Sequence, residues 1–194
     1  MKPLSPDRKK EIRHNLIAAA ALEALYALLF FLFREQVSSY GYFQAAATLA
    51  GIGLVLHRLE PVYFYGTIGF AAFAQCGGAM FRLYDIIPVY DLLLHLASGI
   101  LLTFAGHYLL VLLLRRHPQA ELPRSVELAF SWLFAAASAG VWEIYEFTVD
   151  QLFGLDSQLG SLTDTMGDII AGTIGGLLGL GLLTAYLKKR KKTN

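Results

Sequence analysis

Leu16 to Phe33 is a run of apolar helix formers interrupted by one charge, Glu23, with Lys9, Lys10 and Arg13 before it and Arg34 after it. Its length approaches the ~20 residues a helix needs to cross the ~30 Å hydrocarbon core of a bilayer. In hydrocarbon every backbone N–H and C=O must be satisfied within the segment, so such a run can only be a helix. A cleaved signal peptide would offer small residues after a shorter apolar core. Arg34-Glu35-Gln36-Val37 does not, so the segment is expected to be retained.

The same pattern recurs along the chain. Spans are expected at about 16–33, 42–56, 62–81, 90–114, 126–149 and 164–187, the second being the shortest. His57-Arg58-Leu59-Glu60-Pro61 closes the second, Arg82-Leu83-Tyr84-Asp85 the third, and Arg115-Arg116-His117-Pro118 the fourth. With 56% hydrophobic and 16% charged residues, and a mean hydropathy of +0.51, the chain is too apolar for an ordinary soluble domain. The lone Cys76 excludes a disulfide framework or a thiolate metal cluster. The expected fold is all-α: a polytopic integral membrane bundle, with residues 1–194 as a single transmembrane domain.

Charge placement orients that bundle. Six spans put both termini on one side, and fourteen of the sixteen Lys and Arg then fall on that side, leaving only Arg34 and Arg82 opposite. The positive-inside rule makes the terminal side cytoplasmic. The tail Lys188-Lys189-Arg190-Lys191-Lys192 is expected to fix topology and touch anionic lipid, with no nucleic-acid partner.

The acidic residues of the last three spans then cluster on the extracytoplasmic side. Asp91 and His95 are four apart, Glu143, Glu146 and Asp150 are spaced three and four, and Asp164 and Asp168 are four apart, so each set shares a helix face. Depth agrees: Asp91, Asp150 and Asp164 fall near the interface, His95, Glu146 and Asp168 roughly 6 Å deeper, and Glu143 roughly 10 Å below Asp150. Carboxylates this close, with no Lys or Arg assigned among them, must be protonated or neutralised by cations. A divalent metal held by Asp91, His95, Glu143, Glu146, Asp164 and Asp168 is the simplest solution. Oxygen donors with one imidazole suit Mn, Fe, Zn, Mg or Ca, and which of these is not readable.

Each group also has a plainer role open to it. Asp164 sits in a Ser161-x-x-Asp164 capping pattern, Asp91 and Asp150 could be solvated at the interface, and Tyr90, Tyr145 or Ser98 could satisfy Glu143 and Glu146. A single histidine in an apolar span is more often structural than a ligand. On the sixth segment, Gly172 and Gly176 continue the acidic face, and Gly167, Ala171, Gly175 and Gly179 form the adjoining ridge. Small residues of this kind let helices approach closely, with Ala135 to Gly140 of the fifth segment as the expected partner. His107 and Glu127 lie toward the cytoplasmic ends, outside the cluster.

Asp91-Leu92-Leu93-Leu94-His95 followed by Ala97-Ser98-Gly99, then Trp142-Glu143-Ile144-Tyr145-Glu146, then Asp164-Thr165-Met166-Gly167-Asp168, resembles the YjdF-like bacterial inner-membrane proteins. More distantly it is similar to the VanZ-like family, whose usual asparagine and arginine positions are not evident here. The resemblance covers about Tyr84 to Gly181. It implies a multi-pass protein of the bacterial cytoplasmic membrane with no settled activity, and the VanZ-like link to glycopeptide-antibiotic tolerance implies a cell-envelope role.

Three functions remain open from the sequence. The first is a metal-dependent hydrolase or transferase acting on a lipid-linked envelope substrate, with Asp150 as the general base on metal-bound water. The second is a cation- or proton-coupled transporter or flippase. The third is a noncatalytic membrane factor stapled by a structural cation. Membrane lipids are the expected partners in all three.

Overall fold

The computed structural model describes residues 5–115, 122–154, 158 and 161–193, all of whose regular structure is helical. The elements are α1 (Pro6–Phe33), α2 (Ser39–Leu56), α3 (Pro61–Ala72) running into a π-helical segment (Phe73–Met80), the one-turn α4 (Leu83–Ile86), α5 (Tyr90–Leu114), α6 (Arg124–Phe153) and α7 (Leu162–Thr193). The Arg116-His117-Pro118 stop expected after the fourth segment lies outside the described residues. Two compact units result, Met1–Tyr90 and Asp91–Asn194.

Four helices are long and apolar enough to cross a membrane: α1, α5, α6 and the Leu162–Arg190 part of α7. The two remaining expected spans are not among these four. With 18 residues, about 27 Å, α2 has the length of a short span, but Ser39, Gln44 and Thr48 dilute its apolar run. The third segment is not one α-helix, because α3 ends after 12 residues and the next eight are wound as π-helix.

In the first unit, α1 begins on Ser5, whose side chain accepts from the Arg8 N–H, with Pro6 at the first helical position. The fully buried Asn15 donates its amide to the carbonyls of His57 (2.9 Å) and Leu59 (3.1 Å), satisfying orphan acceptors at the end of α2. Tyr26, Leu49, Phe64 and Ile68 form the core of this unit. Where α3 passes into π winding the carbonyl ladder is displaced, and two tyrosine hydroxyls fill in. Tyr26 donates to Ala72 O (2.7 Å) and Tyr90 to Phe73 O (2.6 Å).

In the second unit, glycine sets how closely the helices meet. A Cβ on Gly99 of α5 would sit 2.0 Å from Gly172 O of α7, and one on Gly175 would sit 2.0 Å from Leu96 O, so the two backbones touch. Gly172 and Gly176 face α6, where a Cβ would meet Ala139 at 2.8 Å and Ala135 at 3.2 Å. The buried Thr103 hydroxyl lies 3.0 Å from Gly99 O and 3.1 Å from Gly176 O, and Trp132 Nε1 donates to Thr173 O across the α6–α7 contact (3.2 Å). The small-residue partner expected on the fifth segment is present. The close approach to α5 is a second contact that the sequence pattern did not single out.

Candidate metal centre

The second unit draws α5, α6 and α7 together at one end. On α5 the four-residue spacing puts Asp91 one turn from His95, and the His95 Nε2 to Asp91 Oδ1 distance is 3.7 Å. From α6, Glu143 Oε1 comes within 3.8 Å of the same nitrogen, and from α7 Asp168 Oδ2 within 4.0 Å. His95, Glu143 and Asp168 are each at least nine-tenths buried, while Asp91 is half-buried at the rim. One donor atom from each of Asp91, His95 and Asp168 lies within 4.8 Å of the others.

These separations are too long for hydrogen bonds and close to what a shared ion requires. Metal–ligand bonds of about 2.0–2.2 Å place the donors of one ion roughly 3–3.5 Å apart, so a small inward turn of Asp91, His95 and Asp168 would bring these three to one ion, with Glu143 approaching from the His95 side. Glu143 Oε1 is buried and has no hydrogen-bond partner among the described residues. An orphaned acceptor of this kind costs about 1–3 kcal/mol, and more when charged. Among the described residues no Lys or Arg pairs with Asp91, Glu143 or Asp168.

The remaining expected ligands stand outside this group. Glu146 Oε1 accepts from Trp142 Nε1 one turn back on its own helix (2.8 Å) and is partly exposed. Asp164 is one turn above Asp168, and its backbone N–H donates to Ser161 Oγ (3.3 Å). Asp150 lies about 10 Å up α6 from Glu143 and accepts the Gln158 N–H at Oδ2 (3.0 Å). Of the groups that might have satisfied the glutamates, Tyr90 donates to Phe73 O and Ser98 to His95 O.

Gln158 is the site residue that the sequence pattern did not reveal. After α6, Gly154 takes a left-handed conformation (φ 65°) with its N–H on Asp150 O, a glycine cap that turns the chain back. Gln158 then reaches down α6, and its Nε2 donates to Glu143 O (3.2 Å) and Glu143 Oε2 (3.3 Å). One carboxylate oxygen is thereby held and the other left facing His95. An amide in a loop carries no periodicity, so only the fold exposes this role. Gln158→Ala is expected to weaken divalent-metal binding about 10–100-fold with little change in melting temperature. Competition with a fluorescent chelator measures this, and an unchanged affinity would reduce Gln158 to a loop contact.

Glu143 and Asp150 also line an open cleft of about 720 Å³ between α6 and α7. The buried Glu143 thus has an accessible space beside it.

Together the apolar helices define a multi-pass α-helical membrane protein with a buried carboxylate–histidine cluster at one end of its second unit. The chain belongs to the family described as predicted membrane protein DUF2238, which matches residues 16–189. No curated protein and no solved structure matches it.

Proposed function

We propose that this protein is a membrane-embedded, metal-dependent hydrolase or transferase acting on lipid-linked substrates of the bacterial envelope. The carrying observation is the convergence of Asp91, Glu143 and Asp168 on His95 Nε2, with Glu143 Oε1 buried and unpaired. One divalent ion there would be held by these four residues and would supply a Lewis acid and an activated water. Glu146 and Asp164, the other two expected ligands, neighbour the cluster and would add negative charge around it. Asp150 shares the cleft with Glu143 and serves as the base, through a short chain of waters for which the cleft has room.

The topology of this reading has six spans, with α2 and the α3–π segment completing the count, and both termini in the cytoplasm. The YjdF-like resemblance belongs to the same reading. The VanZ-like link adds nothing to it, because the family match names neither.

Ion-coupled transport has less support. The next buried histidine on α5, His107, is about 18 Å further along the helix. Between the two, α5 and α7 meet backbone to backbone at Gly99 and Gly175, and Thr103 is spent on backbone carbonyls. A cation that only staples helices would need no cleft beside its ligand.

Full-length protein in vesicles of envelope lipid tests the reading. Divalent metal should produce release of headgroup or lipid phosphate, chelator should abolish it, and Asp150→Asn should slow it about 10²–10⁴-fold. Release that persists in chelator, or none from any metal-supplied vesicle, contradicts it.

A further inference from the structure

The cleft between α6 and α7 has a direction. On α6 its wall runs from Gly140 through Glu143, Ile144 and Phe147 to Asp150, about 15 Å from the body of the helix to its end. Its mouth, at the helix ends, is polar, with Asp150, Gln158 and Ser161 gathered there. Deeper in, its lining joins Ile144, Phe147 and Ile169 with the Glu143 carboxylate. The outer surfaces of Ile144 and Phe147 are themselves more than half exposed, so the cleft opens sideways where lipid would lie. A Cβ built on Gly140 would meet nothing within 4 Å, so the inner end is open space.

A polar mouth at the helix ends beside an apolar wall of Ile144 and Phe147 that opens sideways suits a bilayer lipid, headgroup at the mouth and chain along that wall. Charge narrows the choice further, since among the described residues the lining carries two carboxylates, Glu143 and Asp150, and no Lys, Arg or His. An anionic headgroup would be repelled there, and a group that is cationic and can donate hydrogen bonds would be drawn in. We propose that this cleft binds a bilayer lipid with a primary-amine headgroup, its ammonium against Asp150 and one acyl chain along Ile144 and Phe147 toward Gly140. The volume, about 720 Å³, lies within the ~300–1,000 Å³ typical of small-ligand pockets and leaves room for part of a chain beyond the headgroup. The inference rests on the reading above for its catalytic meaning, since Glu143 is common to the cleft and the cluster; binding itself needs no turnover.

Native mass spectrometry of the full chain in detergent, with dioleoylphosphatidylethanolamine or dioleoylphosphatidylglycerol added, tests it. The two lipids share chains and phosphodiester, so a bound metal contributes equally to both and only the headgroup differs. The ethanolamine lipid is expected to be retained roughly tenfold better, the size of one charged hydrogen bond. Asp150→Asn should bring the two lipids close to parity. Gly140→Leu should reduce retention of the ethanolamine lipid while leaving metal content at the wild-type level. Equal retention of the two lipids by the wild-type chain, or a Gly140→Leu chain that binds the amine lipid undiminished, overturns the proposal. A metal-free wild-type chain that still prefers the amine lipid would sink the metal-enzyme reading and leave this one standing.

Discussion

Glu143→Gln combined with Asp168→Asn is expected to abolish the proposed divalent-metal binding, weakening it about 10³-fold or more. Removing a single outer partner of a ligand typically costs about 10–100-fold, and here two direct donors on two different helices lose their charge. The substitutions are nearly isosteric, so the packing of α6 and α7 around Gly172 and Gly176 is retained and the effect is chemical. The Gln158 amide still finds an oxygen on residue 143, which keeps the loop in place. Titration of the purified variant with Mn²⁺ and Zn²⁺ against a fluorescent chelator gives the number. An affinity within a few-fold of wild type would move the site away from His95.

On the proposed metal reading, chelation is expected to destabilise the wild-type chain and to leave that double variant almost indifferent. Without an ion, Asp91, Glu143 and Asp168 face one imidazole in a buried pocket, and their mutual repulsion is poorly screened there. A ligand bound at 100 to 1,000 times its dissociation constant stabilises by about 2.7–4.1 kcal/mol. For a chain of this length each kcal/mol is worth about 2–4 °C, so the melting temperature should fall by roughly 5–15 °C in chelator and recover when metal is returned. A melting curve indifferent to chelator in the wild-type chain would mean that protons, and no metal, neutralise the cluster.

The convergence on His95 was legible because it follows from helix periodicity alone. Asp91 and His95 four apart, Glu143 on the buried stripe of α6, and Asp168 one turn into α7 needed only matched depth to meet. Periodicity also explains what it could not resolve. Glu146 is three residues from Glu143, a rotation of about 60° around the helix, and that offset is enough to leave it beside Trp142. Asp150 is on nearly the same face as Glu143 but two turns away, so face alone overstates its closeness.

Loops and interhelical contacts were less readable. Gln158 meets Glu143 from beyond the Gly154 cap of α6, and nothing in the spacing of residues announces that contact. The glycine ridge of α7 was visible as a ridge, yet the sequence named one partner where two exist. Gly172 and Gly176 face α6, whereas Gly175 is rotated about 100° from Gly176 and meets α5. In the first unit the π winding of Phe73–Met80 begins where hydroxyls from Tyr26 and Tyr90, distant in sequence, meet the Ala72 and Phe73 carbonyls, and an apolar run there read as a plain helix.

The most direct test of the metal centre is elemental mass spectrometry of the full-length protein, purified in detergent without chelator and resupplied with divalent metal before desalting. The account predicts close to one divalent ion per chain in the wild-type protein and a near-complete loss in the Glu143→Gln/Asp168→Asn chain. A wild-type protein that holds no metal after resupply, or a double variant that holds as much as the wild type, contradicts it.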